Sequence, residues 1–148
     1  MSLLFGIMVE DGLLSLDTTL GEIFTDDDAW ADVTDGSTDF RKGVTVEELL
    51  TMTSGLVNNF EMLGNSRAVF AELQESLSIP LIGVKGEFSY LVSSQIPSYI
   101  IVKLTGMTPR QYLAKHVMRK VGIGEDEYDW RHNDEGVQER SEERRVGK

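Results

Sequence analysis

A run of aspartates between residues 25 and 40 is the first group of side chains that could do chemistry. Carboxylate oxygens are the ligands that Ca²⁺ prefers, and Gly36 offers a turn among them. However, the EF-hand spacing D-x-D-x-[DN]-G with a closing glutamate is absent. The pattern therefore favours a solvated acidic loop over a metal site, and no motif for a cofactor is present. The aspartates are Asp26, Asp27, Asp28, Asp32, Asp35 and Asp39.

Histidine, cysteine and paired carboxylates are the next candidates for catalysis. The chain has no cysteine, which excludes a thiol nucleophile, a thiolate metal site and a disulfide framework. His116 falls on the polar side of a predicted helix, and His132 lies in a predicted loop without a serine and an acid at a recognisable spacing. The 25 acidic residues include no pair that the sequence singles out as a general acid and base.

Composition sets the broad class of protein. A chain of 148 residues is long enough for one domain or for a piece of a larger one. The net charge of -11 argues against binding to nucleic acid or to an anionic membrane surface, because their phosphates would be repelled. No apolar run approaches the roughly 20 residues that span a bilayer. The apolar stretch 2–9 lacks a basic leader and a cleavage site, so we predict a helix and expect a soluble protein.

Capping signals locate the helices that must position any site. Thr45 and Glu48 form a capping box, and the apolar residues that follow predict an amphipathic helix with Gly55 as its left-handed C-terminal cap. Thr108 and Gln111 form a second box, with Pro109 at the first helical position. Four further helices are predicted: one over the first residues ending at Gly12, a short one after a turn within 13–24, one at about 66–76, and one from about residue 93 or 94 to Gly106.

Three stretches in the correct order resemble the serine beta-lactamase-related family, which includes class C beta-lactamases, DD-peptidases and related esterases. The helix over 44–56, VTVEELLTMTSGL, is similar to a family line T-x-x-x-L-L-T-x-x-S-G-L, with Met52 where many members carry histidine. An earlier stretch matches through Gly6, Gly12, Leu14, Leu16, Asp17 and Leu20. A later one matches through Phe88, Tyr90, Thr105, Gly106, Tyr112, Leu113, Val117, Gly122 and Ile123.

The resemblance implies acyl transfer through a serine, with a Tyr-x-Asn motif facing that serine. Tyr90 matches the tyrosine, which is commonly assigned to proton transfer, although packing alone would also account for an aromatic residue there. Val92 occupies the place of the asparagine, and its side chain cannot form a hydrogen bond. Either Ser93 replaces that substrate-binding group after a shift of one residue, or the contact is lost.

Two other elements of the family are missing from the chain. No serine is followed by lysine three residues later, so the Ser-x-x-Lys nucleophile motif is absent. The family places this motif just before the position of Ser2, which implies that the first helix is the distal part of the nucleophile-bearing helix. The Lys-Thr-Gly or His-x-Gly line that the family has downstream is also absent before Lys148.

The resemblance implies an α+β fold of the beta-lactamase and transpeptidase type, of which this chain covers mainly the helical lobe. We expect residues 1–135 to be part of such a domain and residues 136–148 to be a charged tail, disordered or foreign to the domain. The implied substrate of the intact protein is a small-molecule or peptide-like amide or ester. The alternative hypothesis is a small acidic helical module that binds a protein partner and has no catalytic activity.

Overall fold

The computed structural model describes residues 1–31, 33–56, 77, 83–89, 96–128, 131–132 and 138–140, with the backbone alone for 27–28 and the last two ranges. Helices dominate. The α-helices are α1 (Ser2–Glu10), α2 (Leu20–Ile23), α3 (Thr38–Lys42), α4 (Val46–Leu50), α5 (Ile96–Thr105) and α6 (Pro109–Leu113). A 3-10 helix, Asp27–Trp30, follows α2, and a π-helical turn, Ala114–Met118, continues α6. Strands β1 (Arg131–His132) and β2 (Gln138–Arg140) pair antiparallel.

The helix starts follow the capping signals in the sequence. The Glu48 amide donates to the Thr45 hydroxyl at 3.2 Å, while the Thr45 amide donates to the Glu48 carboxylate at 3.0 Å. The same reciprocal pair forms between Thr108 and Gln111 at the start of α6. Both predicted capping boxes are therefore confirmed. A third box, between Thr19 and Glu22, starts α2 and was not predicted, although its T-x-x-E spacing is visible in the sequence.

The helix ends agree less well with the predictions. Gly12 has φ of 72° and ends α1, as predicted. The prediction that Gly55 caps α4 was wrong, because α4 ends at Leu50 and Met52 takes the left-handed position with φ of 59°. The Thr53 amide donates to the carbonyl of Glu48, and the Met52 amide to that of Leu49, which are the two bonds of a Schellman motif. Helix α4 therefore ends earlier than its apolar pattern suggests.

The core gathers side chains from each of the longer helices, and α5 is buried on all sides over its first six residues. Helix α1 contributes Leu4, Phe5 and Met8, and it packs against α6, which in turn packs against α5. Burying a large apolar side chain contributes about 1.5–3 kcal/mol, so these contacts supply most of the stabilisation of so small a set of helices. The buried residues elsewhere in the cluster include Leu20, Ile23, Val44, Val46, Leu49, Leu56, Leu77, Ile96, Ile100, Ile101 and Tyr112.

The capped ends of α2 and α4 are joined through their backbones. Thr19 and Thr45 form an isolated antiparallel bridge. The Leu20 amide donates to the Val44 carbonyl at 2.8 Å, and the Val46 amide donates to the Thr18 carbonyl at 3.0 Å. Amides that a helix start leaves without an intrahelical acceptor are thus satisfied by the other segment. This arrangement fixes the start of α4, which carries the family-like sequence line.

The acidic stretch is more ordered than the predicted solvated loop. The indole nitrogen of Trp30 donates to the Phe24 carbonyl at 2.9 Å, and Ala29 and Trp30 are buried. The Asp26 carboxylate lies 2.7 Å from the Lys103 ammonium group on α5. Among the residues with described side chains, no group of three possible ligands is placed to hold a metal ion.

Arg41 of α3 is a fully buried cation, with an exposed fraction of 0%. Its guanidinium donates to the Ser37 hydroxyl at 2.5 Å, to the Leu77 carbonyl at 2.5 Å and to the Asp35 carboxylate at 2.9 Å. Hydrogen bonds from Ser37, together with the Arg41 guanidinium, lower the pKa of Asp35 from 3.8 to about 2. Asp35 is therefore ionised at neutral pH, and Arg41 joins the acidic stretch to residue 77, which is 36 positions along the chain.

Several predictions about the fold are only partly tested by the described residues. Since helices are the main regular structure among the described residues, the helical character is confirmed, while the α+β architecture stays a prediction. Strand β2 lies in the segment predicted as a charged tail, and the proposed boundary at 135 also stays a prediction. The predicted helix at about 66–76 lies outside the described residues. The predicted start of the next helix, near residue 93 or 94, also lies outside them. None of the described helices is long and apolar enough to cross a membrane.

Candidate active-site framework

The site residues predicted from the sequence, Tyr90 and Ser93, lie outside the described residues, as does Val92. The structure does describe the segment that leads into Tyr90, residues 83–89, and the turn after α4 on which this segment lies. Since Ser89 is bonded directly to Tyr90, the contacts of this segment determine where the chain enters the tyrosine motif. We call residues 83–89 the approach segment.

Two backbone hydrogen bonds attach the approach segment to the turn after α4. The Gly86 amide donates to the Thr53 carbonyl at 2.8 Å, and the Ser89 amide donates to the Met52 carbonyl at 2.9 Å. Within the segment, the Glu87 amide donates to the Val84 carbonyl at 3.1 Å. This bond closes a tight turn, in which Gly86 has the positive φ of 89° that a type II turn requires at its third residue.

A second attachment is the close approach of two glycine backbones, Gly55 and Gly83. A Cβ atom added to Gly55 would lie 3.1 Å from the Lys85 nitrogen and 3.3 Å from the Gly83 oxygen. One added to Gly83 would lie 3.1 Å from the Gly55 oxygen. All of these neighbours are backbone atoms, which cannot rotate away as a flexible side chain can. Gly55, the glycine of the S-G-L part of the family-like line, is therefore needed because the approach segment lies against it. It is not the residue that ends α4.

Lys85 makes a third attachment through its side chain. Its ammonium nitrogen lies 3.2 Å from a Glu48 carboxylate oxygen and donates to the Gly43 carbonyl at 3.2 Å. It also lies 5.7 Å from the centroid of the Phe40 ring, within the range of a cation–π contact. The sequence offered no signal for these contacts, because Lys85 is more than 35 residues from each of them along the chain.

Ser54 and Phe88 differ sharply in exposure. Ser54 is fully buried, and its hydroxyl accepts a hydrogen bond from the Leu56 amide at 3.2 Å. The hydroxyl thus stabilises the turn and is shielded from solvent. Phe88, in contrast, is 70% exposed within the approach segment. It therefore presents an exposed aromatic ring two residues before Tyr90 in the sequence.

His116 differs from its predicted solvated position. Its ring packs against Tyr112, with centroids 4.2 Å apart, and it is half-buried. The Tyr112 hydroxyl is buried and forms no hydrogen bond within the described structure. Burial raises the pKa of Tyr112, and the carboxylate of Asp11 raises it further. A neutral, buried phenol beside a histidine is a packing arrangement, and no described serine completes it as a triad.

A family model and several solved structures match this chain. The model described as Beta-lactamase matches residues 1–147. The structure reported as "Crystal structure of SurE" has 21% sequence identity and a TM-score of 0.63, and the match covers 95% of this chain and 28% of that one. "Crystal structure of SurE with D-Leu" has 20% identity and a TM-score of 0.66, covering 95% of this chain and 30% of that one. No curated protein matches.

These matches describe the fold over nearly the whole chain. At 20–21% identity, the likeness to SurE supports a shared fold and not a shared activity. The chain spans less than a third of the length of either SurE chain that it matches. The matched region is therefore a small part of a much longer chain in those structures.

Proposed function

Because the chain belongs to the Beta-lactamase family, we propose that it forms the helical lobe of a serine hydrolase that cleaves an amide or ester through an acyl-serine. We further propose that the 148-residue chain alone catalyses no acyl transfer. The intact enzyme would supply the nucleophile from a Ser-x-x-Lys helical turn, in which the lysine amine takes the serine proton. Tyr90 would act in proton transfer opposite that serine.

The observation that carries this proposal is the three-point attachment of the approach segment to the family-like line. Backbone hydrogen bonds from Gly86 and Ser89, the contact of Gly55 with Gly83, and the side chain of Lys85 all hold this segment. Proximity effects in catalysis require a reacting group to be held within a few tenths of an ångström of its productive position. The firm attachment of a segment that ends at Ser89, directly before Tyr90 in the sequence, supports the proposal that the tyrosine is held in this way.

The chain's own residues explain why it should be inactive alone. No serine stands three residues before a lysine, and Ser54, in the family-like line, is fully buried. An unactivated serine hydroxyl is a weak nucleophile at neutral pH, so Tyr90 would have no acyl acceptor to serve. Val92 in the asparagine position further removes one side-chain hydrogen bond to the substrate amide.

Incubation with acyl-donor probes tests the proposed inactivity. We expect neither covalent labelling of the 148-residue chain by a fluorescent penicillin nor a hydrolysis burst with a chromogenic short-chain ester. A chromogenic D-leucine ester belongs in the same set, because one of the similar structures is of SurE with D-Leu. Heat-denatured chain serves as the control for nonspecific acylation of lysines. Labelling of the folded chain above that control, or a burst of product, would show that the chain contains its own nucleophile.

A further inference from the structure

We propose that Lys85 is a positioning residue for the tyrosine motif: its ammonium group clamps the approach segment to the start of α4 and so fixes the point at which the chain enters Tyr90. This inference rests on the proposed function, since Tyr90 acts in catalysis only under that proposal. The clamp itself is a physical arrangement that can be measured without any activity.

The ammonium group of Lys85 has three N–H donors and meets three different groups. The Glu48 carboxylate and the Gly43 carbonyl each lie 3.2 Å from the nitrogen, and the Phe40 ring centroid lies 5.7 Å away. These partners come from α3, from the link after it and from the first turn of α4. A single side chain therefore joins the approach segment to three consecutive parts of the fold.

The capping box orients the Glu48 side chain independently of Lys85. Its carboxylate accepts the Thr45 amide in the capping box, which holds the side chain in one position. Ordering two free side chains is the main reason that exposed ion pairs contribute little to stability. Here only Lys85 has to be ordered, and the side chains of Lys85 and Glu48 are 37% and 22% exposed. The pair should therefore hold the segment more firmly than a fully exposed pair would.

The clamp and the backbone bonds act at opposite ends of α4. Lys85 contacts Glu48 and Gly43 near the start of the helix, while Gly86 and Ser89 bond to Thr53 and Met52 after its end. Attachment at one end alone would let the segment swing about that end. Attachment at both ends fixes its direction along α4 as well as its distance. The direction of the segment decides where Ser89, its last residue, is placed.

Amide hydrogen exchange in the 148-residue chain tests the clamp. In Lys85→Met, we expect exchange at the Gly86 and Ser89 amides to accelerate by about fivefold to tenfold, as expected for losing a cation–π contact and a partly buried ion pair. The Tyr112 amide, which donates to the Thr108 carbonyl on α6, should keep its rate. Lys85→Arg keeps a cation in place and should stay within about twofold of the wild-type rates. Lys103→Met, which removes an exposed ion pair to Asp26, should leave Gly86 and Ser89 unaffected.

A second variant tests the partner of the clamp. Glu48→Gln keeps an oxygen for the Thr45 amide but removes the charge that faces Lys85. We expect it to accelerate the same two amides, and Glu48→Gln combined with Lys85→Met to add little beyond Lys85→Met alone. Unchanged exchange at Gly86 and Ser89 in Lys85→Met would overturn the proposal. So would an equal acceleration of all amides including Tyr112, which would make Lys85 a general stabiliser.

The exchange result and the proposed function can fail independently. If the chain were labelled by the fluorescent penicillin, its predicted inactivity would be wrong while the exchange rates would still report on the clamp. If the exchange rates were unchanged, the clamp would be wrong while the family membership and the absent Ser-x-x-Lys would stand.

Discussion

Replacing Arg41 by methionine is expected to lower the free energy of unfolding by about 3 kcal/mol, because it removes a buried cation that bonds to groups on two segments. The methionine would fill much of the space of the arginine stem. The Leu77 carbonyl would nevertheless lose its donor, and an unsatisfied buried carbonyl costs about 1–3 kcal/mol. The Asp35 carboxylate would lose its ion pair, although it is 41% exposed and can be hydrated. Urea unfolding followed by circular dichroism measures the change.

Arg119 provides a matched control for Arg41. Its guanidinium pairs with Glu125 at 3.0 Å, but the two side chains are 67% and 58% exposed. Arg119→Met should therefore change the free energy of unfolding by no more than about 0.5 kcal/mol. Equal effects of the two substitutions would show that Arg41 is not the buried link that the structure describes.

Replacing Gly55 by alanine is expected to destabilise the chain by about 3 kcal/mol and to detach the approach segment. Gly55 has φ of 75°, which costs an alanine roughly 1 kcal/mol or more. The added methyl group would also lie 3.1–3.4 Å from backbone atoms of residues 83–85, and overpacking of this kind costs about 1–3 kcal/mol. Urea unfolding gives the energy, and exchange at the Ser89 amide reports the detachment.

Gly86→Ala separates the two causes. Gly86 also has a positive φ, of 89°, but a Cβ atom there would meet nothing within 4 Å. This substitution should therefore cost only about 1 kcal/mol, the cost of the backbone conformation alone. If Gly55→Ala cost no more than Gly86→Ala, the close approach of Gly55 to Gly83 would be contradicted.

Helix starts were predictable from the sequence because capping is local. A threonine hydroxyl and a glutamate or glutamine three residues later satisfy each other regardless of the rest of the fold, as at Thr45 and Thr108. The end of α4 was not predictable in this way. Met52 takes a backbone conformation that β-carbon-bearing residues avoid, and the turn it forms is held by contacts with the approach segment. A glycine is needed at position 55 because the backbone of Gly83, almost 30 residues along the chain, lies against it. A local sequence pattern cannot reveal that contact.

Only the resemblance to the beta-lactamase-related family identified candidate site residues in the sequence. Composition and spacing alone identified Tyr90 as one aromatic residue among several, and the role proposed for it came from matching three stretches in the family's order. Arg41 and Lys85 gave no signal, since the partners that define them lie on distant segments. The nucleophile could not be found by any argument, because the chain contains no serine in the required spacing.

The central proposal is that this chain, a member of the Beta-lactamase family, forms the helical lobe of a serine hydrolase and would receive its nucleophile from a Ser-x-x-Lys motif before Ser2. Sequencing the genomic DNA upstream of the Met1 codon tests it most directly. The account predicts an open reading frame in phase with Met1 that encodes Ser-x-x-Lys just before Ser2, as the first part of the helix that continues into α1. An upstream region that cannot be translated, with a good start signal at Met1, would contradict the claim.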